Sequence, residues 1–261
     1  MPRLIVALPA YNEARGLPPL FRAFGRLFER LPESAEPIIV VVDDGSTDRT
    51  ATVVRLAARK GVPVRLVQHP ENRGLGEAIK TGLRAALEEA RGDGDVIVCM
   101  DADNTHPPDT VVPMLEHIAA GADMVIASRY RPGSRQVGVP LFRRFLSFGA
   151  RIVFMTALRI PGVRDYTCGF RAYRAGLVRQ ALEEYGDDLI TRNGFACTDQ
   201  LLVNMAALGD LRVEEVPFIL RYDRKHGASK LHLGVTVLET FRLLAEARRR
   251  LRPRPRKGLK S

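Results

Sequence analysis

The sequence predicts an α/β protein built on a mostly parallel sheet flanked by helices, and three observations carry that expectation. Short apolar, β-branched runs alternate with stretches of helical periodicity from the first residues onward. Two of the runs, Ile38 to Val42 and Val96 to Met100, are continuously apolar, as strands covered on both faces must be. Each of the two leads into an acidic pair, Asp43-Asp44-Gly45-Ser46 and Asp101-Ala102-Asp103. Ligands of open α/β sheets bind beyond the carboxyl ends of the strands, and carboxylates placed there can hold a divalent cation that grips phosphates. A turn and helix cap would explain the first pair alone. Two pairs at equivalent strand ends point to a metal-assisted enzyme acting on a nucleotide-bearing substrate.

The elements follow in order. Leu4 to Leu8 is the first strand, and a helix from about Gly16 to Arg30 carries Leu20, Phe24, Leu27 and Phe28 on one face. Ile38 to Val42 is the second strand, and Ser46 or Asp48 is placed to cap the next helix. Val64 to Val67 is a short third strand. Gly74 to Ala90 has helical periodicity and is stopped by Gly92-Asp93-Gly94. After the fourth strand, Val96 to Met100, Pro107-Pro108 opens a helix to about Ala120, since proline suits a first turn. Met124 to Ala127 is the fifth strand. Beyond Arg129 the alternation changes: loops around Pro132-Gly133-Ser134 and Gly138-Val139-Pro140, a helix from Leu141 to Leu158, and a tight glycine-containing segment from Asp165 to Tyr173. Helices are expected over Leu177 to Tyr185, Thr198 to Leu208 and Val235 to Leu251. A strand lies within Val213 to Tyr222, where Pro217 suggests an edge or bulge.

A chain of 261 residues with 46% hydrophobic content can bury one large core plus an appendage. No apolar run is long enough to span a bilayer, and the N-terminus runs into a strand pattern without a signal peptide. Cys99, Cys168 and Cys197 are widely spaced and form no zinc pattern or disulfide framework, which favours a reducing, cytoplasmic setting. The net charge is +10, but eight cations between Arg248 and Lys260 supply most of it, leaving +2 for the rest. A nearly neutral body with a basic tail, and without a clustered aromatic stacking motif, argues against a nucleic-acid-binding protein.

Gly74-Leu75-Gly76 with Lys80-Thr81 is not a phosphate loop, because Ile79 stands where glycine must precede the lysine. Those glycines suit a turn that passes close to another backbone. His106, before Pro107-Pro108, is either a ligand or base or a turn former. Arg224 to Lys230, with His226 and Gly227, suits a phosphate clamp or a solvated basic loop. Arg129 and Arg131, just past the fifth strand, are similar candidates.

Together these pieces resemble the family 2 glycosyltransferases of GT-A fold, most of all the polyprenyl-phosphate (dolichol-phosphate) mannosyl- and glucosyltransferases. The resemblance runs in order through nearly the whole chain. It begins with Pro9-Ala10-Tyr11-Asn12-Glu13, Asp43 to Asp48, Asn72 to Gly76, and Asp101-Ala102-Asp103 with His106-Pro107-Pro108. It continues through Ser128-Arg129-Tyr130, Arg143 with Ser147, Asp165 with Cys168 to Arg171, and Arg224 to Lys230. It implies that Pro9, Tyr11, Glu13, Asp43 and Asp44 bind a nucleotide-sugar, a GDP- or UDP-hexose. Asp101 and Asp103 would hold Mg²⁺ or Mn²⁺ on the diphosphate. Arg224 and Lys230 would hold the nucleotide phosphates, while Arg129, Arg143 and Ser147 would face the acceptor phosphate. Thr105 stands where many relatives carry a metal-contacting glutamine, and is the third candidate ligand. Asp199 or Gln200 stands near a glutamate of the relatives. The implied domains are a catalytic unit over 1–232, an amphipathic helix over 233–251 and a basic tail over 252–261.

The reaction so implied is an inverting hexose transfer to polyprenyl phosphate. A phosphate monoester, with a second pKa of about 6, needs little help from a general base; a hydroxyl acceptor would need one, and Asp199 is the candidate. Reaching a lipid acceptor requires the membrane surface, expected at its inner face. Leu141 to Leu158, with Phe142, Phe145, Leu146, Ile152, Val153 and Phe154 among Arg143, Arg144 and Arg151, is either an interfacial helix or a core helix over the sheet. The C-terminal helix and basic tail would add roughly 1 kcal/mol per cation at an anionic leaflet.

Overall fold

The computed structural model describes residues 2–194 and 196–224, apart from the side chain of Arg143. The expected helix over Val235 to Leu251, the basic tail, His226 and Lys230 lie outside the described residues. Within them, the main sheet begins with β1 (Leu4–Ala10), β2 (Ile38–Asp43), β3 (Val64–Gln68) and β4 (Val96–Cys99), set side by side and parallel in the order β3-β2-β1-β4. Leu4 to Leu8, Ile39 to Val42 and Val96 to Val98 are essentially inaccessible to solvent. Their continuous apolar character thus reflects cover on both faces. Helices α1 (Leu17–Phe28), α2 (Thr50–Arg59) and α3 (Leu75–Glu89) connect these strands. The stripe predicted on α1 is buried through Leu17, Leu20, Phe21, Phe24 and Leu27, and Pro18 and Pro19 sit in its first turn, where a missing N–H costs nothing.

The second half is mixed. A 3-10 turn at Pro108–Thr110 leads into α4 (Val111–Ala119) and then β5 (Met124–Ser128). The tight segment expected at Asp165 to Tyr173 conceals a strand, β7 (Arg171–Arg174), which runs antiparallel between β4 and β5. Its sequence disguises it, with arginine at both ends and only four residues. Arg171 is nevertheless fully buried, its guanidinium donating to the carbonyls of Thr198 and Tyr166 at 2.6 Å each. Strand β8 (Val213–Pro217) completes the sheet beside β5, and the edge position expected of Pro217 is the one observed. The segment read as loop also holds β6 (Arg135–Val137), which pairs with β9 (Ile219–Arg221) in a two-stranded ribbon. Helices α5 (Leu141–Leu158), α6 (Ala175–Tyr185) and α7 (Ala196–Ala206) pack around this half. Among the described residues no helix is long and apolar enough to cross a membrane.

Candidate active site

The two acidic pairs meet at one edge of the sheet. Pro9 sits where β1 would continue its pairing with β4: the carbonyl of Ala7 takes the amide of Met100, whereas the carbonyl of Ala10 takes that of Asp44 on the β2 side. Lacking an N–H, Pro9 cannot extend the ladder toward β4, and the chain after Cys99 leaves β1 there. The loop after β1 then fills the space between the two acidic ends. On one side Asn12, at φ 60°, donates its amide to Ser46 Oγ at 2.9 Å and accepts from the amide of Thr47 at 2.9 Å. On the other, Gly16 lies so close that a β-carbon would stand 3.0 Å from Glu13 Oε2 and 3.1 Å from the carbonyl of Ala102. Asp43 and Asp103 therefore stand at the same edge of the sheet, on either side of the β1 loop.

Asp43 and Asp44 point to different tasks. Asp43 is fully buried; one oxygen accepts from the amide of Ser46 at 3.0 Å, and Oδ2 has no hydrogen-bond partner. Asp44 turns to the other side and is occupied by the protein itself. Its Oδ1 accepts from His69 Nδ1 at 2.7 Å and from the amide of Arg73 at 2.9 Å, and its Oδ2 accepts from the amide of Gly74 at 2.9 Å. Nε2 of His69 accepts from the Thr81 hydroxyl at 3.0 Å. This buried relay fixes the β3–α3 loop against the Asp43 turn. The loop crosses so closely that a β-carbon on Gly45, at φ 65°, would lie 2.2 Å from the Glu71 carbonyl carbon. Gly76 plays the part expected of a close backbone approach, facing the carbonyl of Arg192 at 2.2 Å from a built β-carbon. Lys80 is buried and donates to the carbonyls of Asp187 and Ile190 at 3.1 and 3.3 Å, so it serves the protein and not a phosphate.

At the β4 end, Asp103 is buried and its Oδ1 accepts from both the amide and the hydroxyl of Thr105, at 3.1 and 2.7 Å. Thr105 thus fixes the orientation of Asp103. The Asp101 side chain is 51% exposed. His106 accepts the Asp101 amide on Nδ1 at 3.3 Å, stacks on Phe170 at 5.1 Å and holds Nε2 3.9 Å from Asp101 Oδ2. Among the described residues no three His, Cys, Asp or Glu side chains gather as a ready-made metal site. Two oxygen donors beside an open cleft fit a hard cation that takes its remaining ligands from substrate phosphates and water.

Across the cleft, Arg129 forms a forked pair with fully buried Asp165: Nε to Oδ2 at 2.8 Å and Nη2 to Oδ1 at 2.6 Å, with the Arg129 amide also on Oδ2 at 2.9 Å. Burial works against the charge on each partner. The ion pair and hydrogen bonds outweigh it, raising the arginine pKa and lowering that of the aspartate. Glu215 on β8 holds this corner by accepting the amides of Arg164 and Asp165 at 2.6 and 2.7 Å. Ser147 lies half-buried on the inner side of α5, and Arg224 ends the turn after β9, also half-buried. Near the start of α7, Asp199 is buried with Oδ1 unpartnered, and burial pushes its pKa up to about 7. Gln200 instead accepts the amides of Thr191 and Arg192 at 3.0 Å each, so it shapes the wall of the cleft. His69 and Glu215 are the participants that sequence reading passed over, and Arg151, named there only among the α5 cations, stacks 4.6 Å over the Tyr130 ring.

Comparison with known proteins agrees with this geometry. The family model described as glycosyl transferase family 2 matches residues 5–182. An undecaprenyl-phosphate mannosyltransferase of Micrococcus luteus is 34% identical over 233 residues, 89% of this chain and 89% of that protein. A polyprenol monophosphomannose synthase of Mycolicibacterium smegmatis is 34% identical over 245 residues, 94% of this chain and 86% of that protein. Among solved structures, glucosyl-3-phosphoglycerate synthase of Mycobacterium tuberculosis, in complex with Mn²⁺, UDP and glucosyl-3-phosphoglycerate, superimposes with a TM-score of 0.61. That match has 22% identity and covers 96% of this chain and 80% of that one. With its acidic strand ends at one edge of a GT-A sheet, and with relatives matched over almost its full length, this chain belongs to the glycosyl transferase family 2 and is a glycosyltransferase.

Proposed function

We propose that this enzyme transfers mannose, with inversion, from a nucleoside-diphosphate mannose to a polyprenyl phosphate at a membrane surface. The observation that carries this reading is an acidic strand end suited to a cation on the same sheet whose β5 leads to Tyr130, on which Arg151 of α5 stacks, while the outer face of α5 is apolar and exposed. Leu141, Phe142 and Phe145 on α5 are 69%, 61% and 76% exposed. The names of the two bacterial relatives support both the sugar and the lipid class. Asp43, whose buried Oδ2 has no partner, would accept an N–H of the nucleotide base, and the loop of Pro9, Tyr11 and Glu13 would line the ribose. Asp101 and Asp103 would hold Mg²⁺ or Mn²⁺, Thr105 fixing the second carboxylate. A cation there supplies charge neutralisation for the leaving diphosphate. Arg224 and Lys230 would add cations on the nucleotide phosphates. Arg143 and Ser147 would orient the acceptor phosphate, with Arg129 behind them as the family resemblance implies. That phosphate is largely ionised near neutral pH and needs no proton removed. The outer face of α5, helped by the basic C-terminal residues, would rest in the headgroup region of the inner leaflet.

The test is a transfer assay with GDP- and UDP-sugars, with Mg²⁺ or Mn²⁺, offering an isoprenyl phosphate against sugar alcohols. The expected product is an isoprenyl phosphomannose, lost in Asp103→Ala together with metal-dependent donor binding. Near-normal turnover of that variant would remove the acidic pair from the mechanism. A second reading, a transferase acting on a hydroxyl, has one observation in its favour: Asp199, buried and poised near neutral, has the character of a general base. Transfer to hydroxyls alone, abolished by Asp199→Asn, would establish it instead.

A further inference from the structure

Tyr130 lies between two guanidinium groups, and they are in opposite electrostatic states. Arg129 approaches the ring with its Cζ 5.6 Å from the centroid, but Asp165 neutralises its charge and takes two of its donors, and the Thr167 hydroxyl accepts from it as well. Arg151 stacks closer, at 4.6 Å from Tyr130 and 5.8 Å from Phe148. Among the described residues it has no carboxylate within ion-pairing distance, and its buried Nε has no hydrogen-bond partner. A buried, uncompensated donor is costly unless a ligand completes it. The stacking fixes the plane of the guanidinium, leaving a preorganised fork for a tetrahedral anion.

Position adds to chemistry. Arg151 follows Ser147 by one helical turn, and Ser147 follows Arg143 by one, so the three positions fall on one side of α5. Ser147 and Arg151 are half-buried, whereas Phe145, Phe148 and Ile152 are exposed. The charge therefore sits on the boundary between the protein body and the apolar outer face, where an anion attached to a hydrocarbon chain would be held by its head.

We propose that Arg151 is a binding residue for the acceptor phosphate and carries net positive charge that Arg129 has surrendered to Asp165. The inference rests on the polyprenyl-phosphate reading and adds a residue to that site.

Calorimetric titration with geranyl phosphate, with geraniol as the uncharged control, tests it. Wild-type protein should bind the phosphate and not the alcohol. Arg151→Gln should weaken geranyl phosphate about 10- to 100-fold, leave affinity for nucleoside-diphosphate mannose unchanged and keep the melting temperature. Arg151→Lys, which keeps the charge but not the fork, should recover part of the loss. Unchanged geranyl phosphate affinity in Arg151→Gln overturns the inference. So does a variant that loses donor and acceptor binding together with thermal stability, since that describes a structural prop. A wild-type protein with no affinity for geranyl phosphate overturns the polyprenyl-phosphate reading itself, and this inference with it.

Discussion

Helices α1 and α5 use the same residue types to opposite ends. Helix α1 buries Leu17, Leu20, Phe21, Phe24 and Leu27 against the sheet. Helix α5 leaves Leu141, Phe142, Phe145, Phe148 and Ile152 between 48% and 76% exposed and buries Phe154 and Leu158. The difference lies in arrangement. On α1 the apolar residues fall in one stripe, so a single surface satisfies them all. On α5 they run around the helix between arginines, so packing one side against the body leaves the other side exposed. The core-helix reading of Leu141 to Leu158 holds for the buried Phe154 and Leu158, while Phe142 and Phe145 lie exposed.

The largest effect that sharpens this contrast is on folding. Phe24→Ala removes a fully buried ring and should cost about 3–5 kcal/mol. Phe145→Ala, at a position 76% exposed, should change stability by less than about 0.5 kcal/mol. Urea denaturation of the two variants checks this, and comparable losses would mean that α5 is as firmly packed as α1.

Charge follows the same division between sealed interior and open cleft. Asp101 is half exposed, whereas Asp199 is sealed and its pKa is raised by burial to about 7. A carboxyl whose folded pKa exceeds its unfolded value of 3.8 keeps a proton that the unfolded chain has already lost. The folded state therefore loses stability as pH rises from about 4 to about 7, by roughly 4 kcal/mol at most. Asp199→Asn removes that slope. Denaturation midpoints at pH 5 and pH 8 should converge in the variant relative to wild type; an identical pH dependence in both proteins would show that Asp199 is ionised in the fold.

What could be read from the sequence follows the same physical line. Strands β1, β2, β4 and β5 announce themselves because burial on both faces leaves an unbroken apolar signature, and helices α1 to α4 through the spacing of their buried stripe, while the convergence of Asp43 with Asp103 follows from their places at parallel strand ends. Strand β7 was hidden because its burial is satisfied through arginine hydrogen bonds, which no hydrophobic pattern records. Asp44 was grouped with Asp43 by adjacency, although successive side chains at a strand end face opposite ways; its partner His69 is 25 residues away, with no spacing to betray it. Arg151 carried a faint signal, the four-residue spacing from Arg143 through Ser147, on a helix whose inner face only the structure decides.

The smallest effect bears most directly on what α5 is for. If its outer face rests in a headgroup layer, each exposed phenylalanine contributes part of the roughly 1.5–3 kcal/mol of a fully buried side chain. Phe145→Ser should then weaken binding to anionic phospholipid vesicles about tenfold, with melting temperature and donor binding unchanged. Ionic attraction from the arginines would survive the change, so the remaining binding should weaken with salt. Vesicle affinity equal to wild type at every salt concentration would mean that the exposed ring meets another surface, and the division between the two helices would lose its functional meaning.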